Sequence, residues 1–359
     1  MTFIIAARRS AIVPRGGPFA RLSIEELAAP VLLGCLADAG ISGTQVDEVI
    51  VSNALGAGGN PARRVALAAG LPDRVAGLSI DRQCVGGLDA LLIARAMVAS
   101  GCAEVVLAGG VESYSRRPLR LRTDPDGGAA VPYDQPPFTP WPDRELGMAQ
   151  AADALAARLG IGRSVQDDWA VRSHARALRN MAQIIEIAGI ASDPFTRLLT
   201  PATAARAKVI TGTITAANAA VAADGAAFCL VVSARVAAKA RRAMRIVAGR
   251  TLGADPAEPG LAPVPAIAAA LADCGLRAAD LTLAEVMEAY AAQAIACVQG
   301  ARLNPEMVNR NGGALARGHP IGASGAVLAV GVFHDLRAGH GLAAIAAAGG
   351  LGTAVIFGV

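Results

Sequence analysis

A cysteine followed closely by two glycines, and a histidine inside a glycine-rich loop, are the residues of this chain best suited to chemistry. Cys84 stands in Gln83-Cys84-Val85-Gly86-Gly87, after an apolar run that predicts a strand and before one that predicts a helix. A thiol at a helix N-terminus lies beside free N–H groups and partial positive charge, which favours the thiolate and lowers the thiol pKa. His319 stands in the run from Gly312 to Gly325, with Pro320 directly after it. Glycine tolerates positive φ and close backbone approach. Proline suits a first helical turn, and the apolar run Ala326 to Phe333 reads as a buried helix. An imidazole held at that helix N-terminus resists protonation and can serve as a base or hydrogen-bond donor near neutral pH.

Each residue also has a plain reading. A glycine-rich turn can carry an incidental histidine, and a free cysteine is most often a small buried hydrophobe. Cys35, Cys102, Cys229, Cys274 and Cys297 lie in apolar runs and receive that structural role. The strand–Cys–Gly-Gly–helix arrangement sets Cys84 apart. No cysteines pair at C-x-x-C spacing, so neither a zinc site nor a redox dithiol is expected. A thiol and an imidazole that meet make a nucleophile and base for acyl transfer. Thioesters are the natural substrates, because exchange of one thioester for another is nearly balanced.

The elements that must position this pair alternate strand and helix. Residues 2–8 predict a strand, and Ser23-Ile24-Glu25-Glu26 is a capping box opening a helix that Gly40 ends. Strands are expected at 46–51, 75–80 and 103–108, with helices starting at Pro61 and Cys84. Residues 116–211 change character: a Pro/Asp/Gly-rich loop, then helices at 146–159 and 164–187. Regular writing resumes at 227–232. It continues through a strand at 245–249, a helix at 263–274, a strand at 283–287, a helix at 289–299, the His319 loop, and strands at 342–347 and 353–358. Strand, glycine-rich turn and apolar helix recur, with Cys84 in the first half placed like His319 in the second. A duplicated α/β unit explains that order.

The totals agree with an enzyme of this build. The chain has 359 residues, 53% hydrophobic and 17% charged, enough for a large core and two or three domain-sized units. Net charge is +4, with basic residues in short clusters such as Arg116-Arg117 and Arg120-Arg122. Aromatics make up only 3%, so the basic, stacking stripe of a nucleic-acid binder is missing. The uncharged stretch 341–359 is long enough to span a bilayer, but its glycines and β-branched ending predict two buried strands. A soluble, cytoplasmic protein without membrane or nucleic-acid partners is expected.

From end to end the chain resembles the thiolase family. Asp81–Ala90 is similar to the family's nucleophile segment NQLCGSGLRA, and Gly110–Ser115 to GGMESMS. Thr213–Ala219 with Asp224–Ala227 is similar to TVTAGNAS…DGAAA. Glu288–Gln293 resembles NEAFAAQ, and Gly312–Gly325 resembles the family's His loop. The resemblance implies a five-layer αβαβα fold from two like halves plus an inserted loop domain, in a homodimer or homotetramer. Residues 1–116 with 219–241 would form the N-terminal half, 117–218 the loop domain capping coenzyme A, and 242–359 the C-terminal half. It implies acyl-CoA as substrate and no permanently bound cofactor or metal. Cys84 would take the acyl group and His319 would activate it. The N–H groups of Cys84 and Ala348 would form an oxyanion site. Met148, Arg163, Ala220, Met287 and Gly318 would lie about the substrate, with Arg163 and Arg172 candidates for the CoA phosphates. Glu288, Gly349 and Gly350 would support the site structurally, as would Glu112.

The departures bear on the reaction. The family's second catalytic cysteine, in a C-x-G-G-G turn, moves the proton on the carbon where the C–C bond forms or breaks. Here that turn reads Ala346-Ala347-Ala348-Gly349-Gly350, and Ala346 cannot move a proton. The asparagine that orders an oxyanion-hole water is Met287, and the serine near the CoA arm is Ala220. The cap segment 187–211 is also short against the family. A positioned acid/base is worth ~10²–10⁴ in rate, so C–C cleavage or condensation is expected to be weakened. Acylation of Cys84 involves no carbon acid and needs no second cysteine. The expectation is therefore a thiolase-like acyltransferase. The alternatives are a relative confined to hydrolysis or to transfer to another acceptor, and a non-catalytic homologue. Retention of both Cys84 and His319 weighs against the last.

Overall fold

The computed structural model describes residues 1–56, 58–178 and 183–359. Strand β1 (Thr2–Ser10) is followed by helix α1 (Ile24–Ala39), whose capping box pairs Ser23 with Glu26 and whose end is Gly40 in the left-handed region. Then come β2 (Glu48–Ser52), α2 (Pro61–Ala68), β3 (Leu78–Ile80), α3 (Gly86–Ala99) and β4 (Val105–Glu112). The inserted region contributes α4 (Met148–Leu159) and α5 (Arg163–Ala177). β5 (Ala223–Ser233) returns to the first half, and the second half holds β6 (Met244–Gly253), α6 (Pro263–Asp273), β7 (Leu281–Val286), α7 (Ala291–Gly300), α8 (Ile321–Asp335), β8 (His340–Ala347) and β9 (Leu351–Gly358).

The main strands run in the order β7-β8-β9-β6-β1-β5-β4-β2-β3. The two halves join where β1 meets β6 through Phe3 opposite Arg245 and Ile4 opposite Met244. Outward from that seam the halves mirror each other. On one side β1 pairs antiparallel with β5 and β5 with β4, then β4, β2 and β3 run parallel. On the other, β6 pairs antiparallel with β9 and β9 with β8, then β8 and β7 run parallel. Next to β7, the counterpart of β3 is reduced to a parallel bridge between Ala284 and Val308. The duplication expected from the order of elements is thus visible in the strand pairing.

Three apolar clusters define five layers. α1 and α2 pack on the outer face of the first half-sheet, and α6 and α7 on that of the second. α3 and α8 lie between the half-sheets and share one core with both. Their crossing is made by glycines: a Cβ on Gly87 would come within 2.5 Å of the Ala326 nitrogen, and one on Gly325 within 2.5 Å of the Leu88 nitrogen. This contact brings the N-terminal ends of α3 and α8 together, and Cys84 and His319 precede those ends.

Several expectations change. The helix expected over 164–187 ends at Ala177, and Ile184–Ile185 instead pairs parallel with β1; part of the expected span, 179–182, lies outside the described residues. Cys102 is exposed in the turn after α3 rather than buried, because Gly101 ends the helix one residue earlier at φ +80°. His174 is buried in α5, where its Nδ1 accepts from the Arg197 N–H and burial pushes its pKa down to about 4. The uncharged C-terminal stretch forms two buried strands, as expected. Among the described residues, no helix is long and apolar enough to cross a membrane.

Candidate active site

Cys84 lies in a single turn, Gln83–Val85, that joins β3 to α3. Gln83 takes a positive φ of 50°, which bends the chain sharply and leaves Cys84 half-buried at the pocket floor. His319 lies between the short helix Ala314–Arg317 and α8, after Gly318 at φ +117°. The Cys84 Sγ and the His319 Nε2 are 3.2 Å apart. On the other side of the ring, Nδ1 is 2.6 Å from the Ser324 Oγ, and that hydroxyl donates to the Pro320 carbonyl at 3.1 Å. With its single proton committed to Pro320, Ser324 accepts from Nδ1–H. The tautomer is then set, and the Nε2 lone pair faces the thiol. The sequence reading missed Ser324; its signal was its place one helical turn beyond Pro320 on α8.

Burial pushes the His319 pKa down to about 4. Burial also pushes the Cys84 thiol up to about 12, outweighing the lowering by its own backbone N–H. This corrects the expectation of a lowered thiol pKa: the short turn before α3 helps less than removal from water costs. The resting pair is a neutral thiol donating toward a neutral imidazole. The rate of Cys84 acylation should therefore stay flat from about pH 5 to pH 8, because His319 remains unprotonated above about pH 4. Stopped-flow acylation against pH checks this; an acid limb near the ordinary histidine value of ~6.5 would contradict it.

Two buried carboxylates fix the loop. Glu112 at the end of β4 accepts from the Ala54, Leu55 and Gly322 N–H groups and from the Asn53 amide. It thereby ties the first turn of α8 to the first half of the molecule, and burial lifts its pKa to about 7. Glu288, 1% exposed, accepts from the Trp169 Nε1, the Ser173 hydroxyl, the Asn309 amide and the Leu315 N–H. Both carboxylates are engaged with protein groups, in keeping with structural roles.

The pair opens into a cavity of about 270 Å³ lined mainly by apolar side chains. Met148, Ala220, Ala346 and Ala348 lie in its wall. Met287 and Gly318 do not; they border a separate cavity of about 30 Å³ behind the His319 loop. Gly349 and Gly350 turn the chain at φ +76° and +75°, and the Gly350 carbonyl accepts from the Ala254 N–H at 2.7 Å. Arg163 is away from this wall. Its guanidinium bonds the Ala204, Ala205 and Ala207 carbonyls and Asp167. Arg172 stacks on Trp169 at 4.2 Å and pairs with Glu306. The wall also contains Tyr114, Arg117, Arg120 and Tyr290, which sequence reasoning had not assigned to it.

Comparison with known proteins places this architecture. The chain belongs to the thiolase family: residues 2–191 match the thiolase N-terminal domain and residues 240–359 the thiolase C-terminal domain. It is similar to a Bacillus subtilis protein provisionally named acetyl-CoA C-acetyltransferase YhfS, 36% identical, with 99% of this chain and 98% of that one covered. Among solved structures it resembles the Bacillus anthracis acetyl-CoA acetyltransferase at TM-score 0.93 and 33% identity, covering 99% and 98% of the two chains. It also resembles human mitochondrial 3-ketoacyl-CoA thiolase in complex with CoA, at TM-score 0.91 and 31% identity, covering 99% and 97%.

Proposed function

We propose that this thiolase-family chain is an acyltransferase that takes acyl groups from CoA thioesters onto Cys84. The observation that carries the reading is the 3.2 Å Cys84–His319 contact, with the imidazole tautomer held by Ser324. In the first half-reaction the Sγ attacks the thioester carbonyl and its proton passes to the His319 Nε2. The C–S bond to CoA then breaks, and the departing thiolate recovers that proton from His319. The N–H groups of Cys84 and Ala348 are the proposed donors to the oxygen that gains charge, a function worth about 10²–10³ in rate per donor. Acyl-CoA enters as substrate, and no resident cofactor is part of this reading.

Three substitutions bear on the second half-reaction. Ala346 supplies no proton-moving group, Met287 cannot order a water as an amide does, and Ala220 brings no hydroxyl to the CoA arm. C–C cleavage or condensation is weaker in this reading than acyl transfer. Ala346 favours the second reading, in which the acyl group passes only to water or to another acceptor. Assembly into a homodimer or homotetramer belongs to the same proposal. It is supported by Leu119, Leu121 and Val131, apolar residues left exposed on the 120–133 hairpin and just before it, which a second copy would cover.

The test is intact mass after exposure to acetyl-CoA and, separately, to a longer 3-ketoacyl-CoA. An acetyl adduct that maps to Cys84 is the expected result of the first. A shortened acyl adduct from the second shows that C–C cleavage survives. Absence of any adduct on Cys84 would overturn the acyl-enzyme.

A further inference from the structure

The cavity that holds Cys84 and His319 presents only methyl groups along Ala346–Ala348. A proton for a carbon must come from elsewhere in the wall. Arg117 pairs with Asp134 and lies over the Tyr114 ring at 4.7 Å. The Arg120 guanidinium donates to the Ala54 carbonyl, and guanidiniums do not give up protons near neutral pH. Tyr290 remains. Its backbone is fixed by a bridge to Ala219, by the bond from the Ala220 N–H to the Ala289 carbonyl, and by its place at the start of α7. Its ring packs beside the cluster that contains Ala152 and Leu155, both also in the cavity wall. Its hydroxyl has no hydrogen-bond partner among the described residues. Burial first, then Cys84, lifts the phenol to about 12, so it is protonated at rest, as a donor must be. In the motif that this segment resembles the residue is phenylalanine, so a hydroxyl is present where that motif has none, and the thiol is absent at Ala346.

We propose that Tyr290 is the proton donor and acceptor for C–C chemistry in this chain. The assignment rests on the acyl-enzyme reading above. Cys84 attacks the 3-keto carbon of a 3-ketoacyl-CoA, its proton going to His319. The C2–C3 bond breaks with its electron pair left on C2, and the Tyr290 O–H protonates C2, releasing acetyl-CoA. The tyrosinate then takes the S–H proton of incoming CoA, a thiol of pKa ~8.5, which is downhill to a phenolate conjugate to an acid near 12. The CoA thiolate attacks the acyl carbon on Cys84, and the departing Sγ recovers its proton from His319. All protons return to their starting atoms.

The experiment compares the full-length protein with Tyr290→Phe and with Tyr290→Phe/Ala346→Cys. One assay follows acetoacetyl-CoA cleavage with free CoA; the other follows acetylation of Cys84 by acetyl-CoA, read by intact mass. Tyr290→Phe should lose ~10²–10⁴-fold in cleavage and at least about tenfold less than that in acetylation, since only cleavage moves a proton on carbon. The double variant should recover cleavage at least about tenfold, as a second thiol takes over proton transfer. Cleavage by Tyr290→Phe at the wild-type rate, or equal losses in both assays, would overturn the assignment. A wild type that acetylates Cys84 but cleaves no acetoacetyl-CoA would overturn it while leaving the acyl-enzyme standing. A wild type that never acetylates Cys84 would overturn both.

Discussion

Cys84→Ala should fold and bind as the wild type does, yet gain no acyl mass from acetyl-CoA, while His319→Ala should acylate ~10²–10⁴-fold more slowly. The two losses differ for a physical reason. Removing the Sγ removes the atom that forms the bond. Removing the imidazole leaves a thiol whose burial holds it near pKa 12, so very little thiolate exists at neutral pH and nothing nearby accepts its proton. His319→Ala should then regain part of its rate as pH rises, because hydroxide replaces the missing base. Intact mass and rapid-quench acylation across pH 6 to 10 measure both. A His319→Ala variant at wild-type rate near pH 7 would remove the imidazole from the mechanism. An adduct in Cys84→Ala would locate the nucleophile elsewhere.

Asp193→Ala should cost about 3–5 kcal/mol of stability, because it strands two buried guanidiniums. Asp193 binds the Arg9 fork at 2.7 and 2.8 Å, the Arg317 Nε at 3.2 Å and the Ile12 N–H at 2.8 Å. Arg9 is fully buried and Arg317 is 6% exposed. Arg317 in turn bonds the Gly312 and Asn311 carbonyls and stands two residues before His319. Burial alone would raise the Asp193 pKa, but Arg9 and Arg317 outweigh it and hold the carboxyl below its ordinary value. A depressed carboxyl stabilises the fold at pH values above its unfolded pKa of ~3.9, and the contribution fades as pH falls through the folded value. The loss in Asp193→Ala should thus be constant between about pH 6 and 8. Urea unfolding at both ends of that range checks it; a variant as stable as wild type would show that the two arginines find other partners.

The parts of this site that could be read in the sequence are those written locally. Cys84 before Gly86-Gly87, and His319 between Gly318 and Pro320, announce tight turns entering helices, and the structure places both there. The duplicated order of elements also shows in the sequence, because each half repeats strand, turn and apolar helix. What the sequence hides depends on contacts between distant segments. The neutral resting state of Cys84 comes from burial by the second half, which no local feature reveals. Asp193, in the 187–211 cap segment where the sequence singled out no residue, becomes the anchor of Arg9 and Arg317, which lie far apart in the chain. Arg163 reads as a cation free to meet phosphate, yet its guanidinium is committed to three carbonyls at the C-terminal end of the short helix at 201–205. Tyr290 shows in the sequence only as one hydroxyl more than a phenylalanine; its place in the cavity depends on the fold.

The nucleophile and its base come from opposite halves of a duplicated chain, 235 residues apart, and meet where two central helices cross on glycines. During synthesis the half bearing Cys84 emerges long before the loop bearing His319. Throughout that interval the thiol lacks its partner, so a growing chain that meets abundant thioesters has no imidazole to activate it. On the proposed mechanism, completion of the second half supplies the base. On that mechanism, the order of the two residues along the chain leaves Cys84 without its base until the second half has folded onto the first.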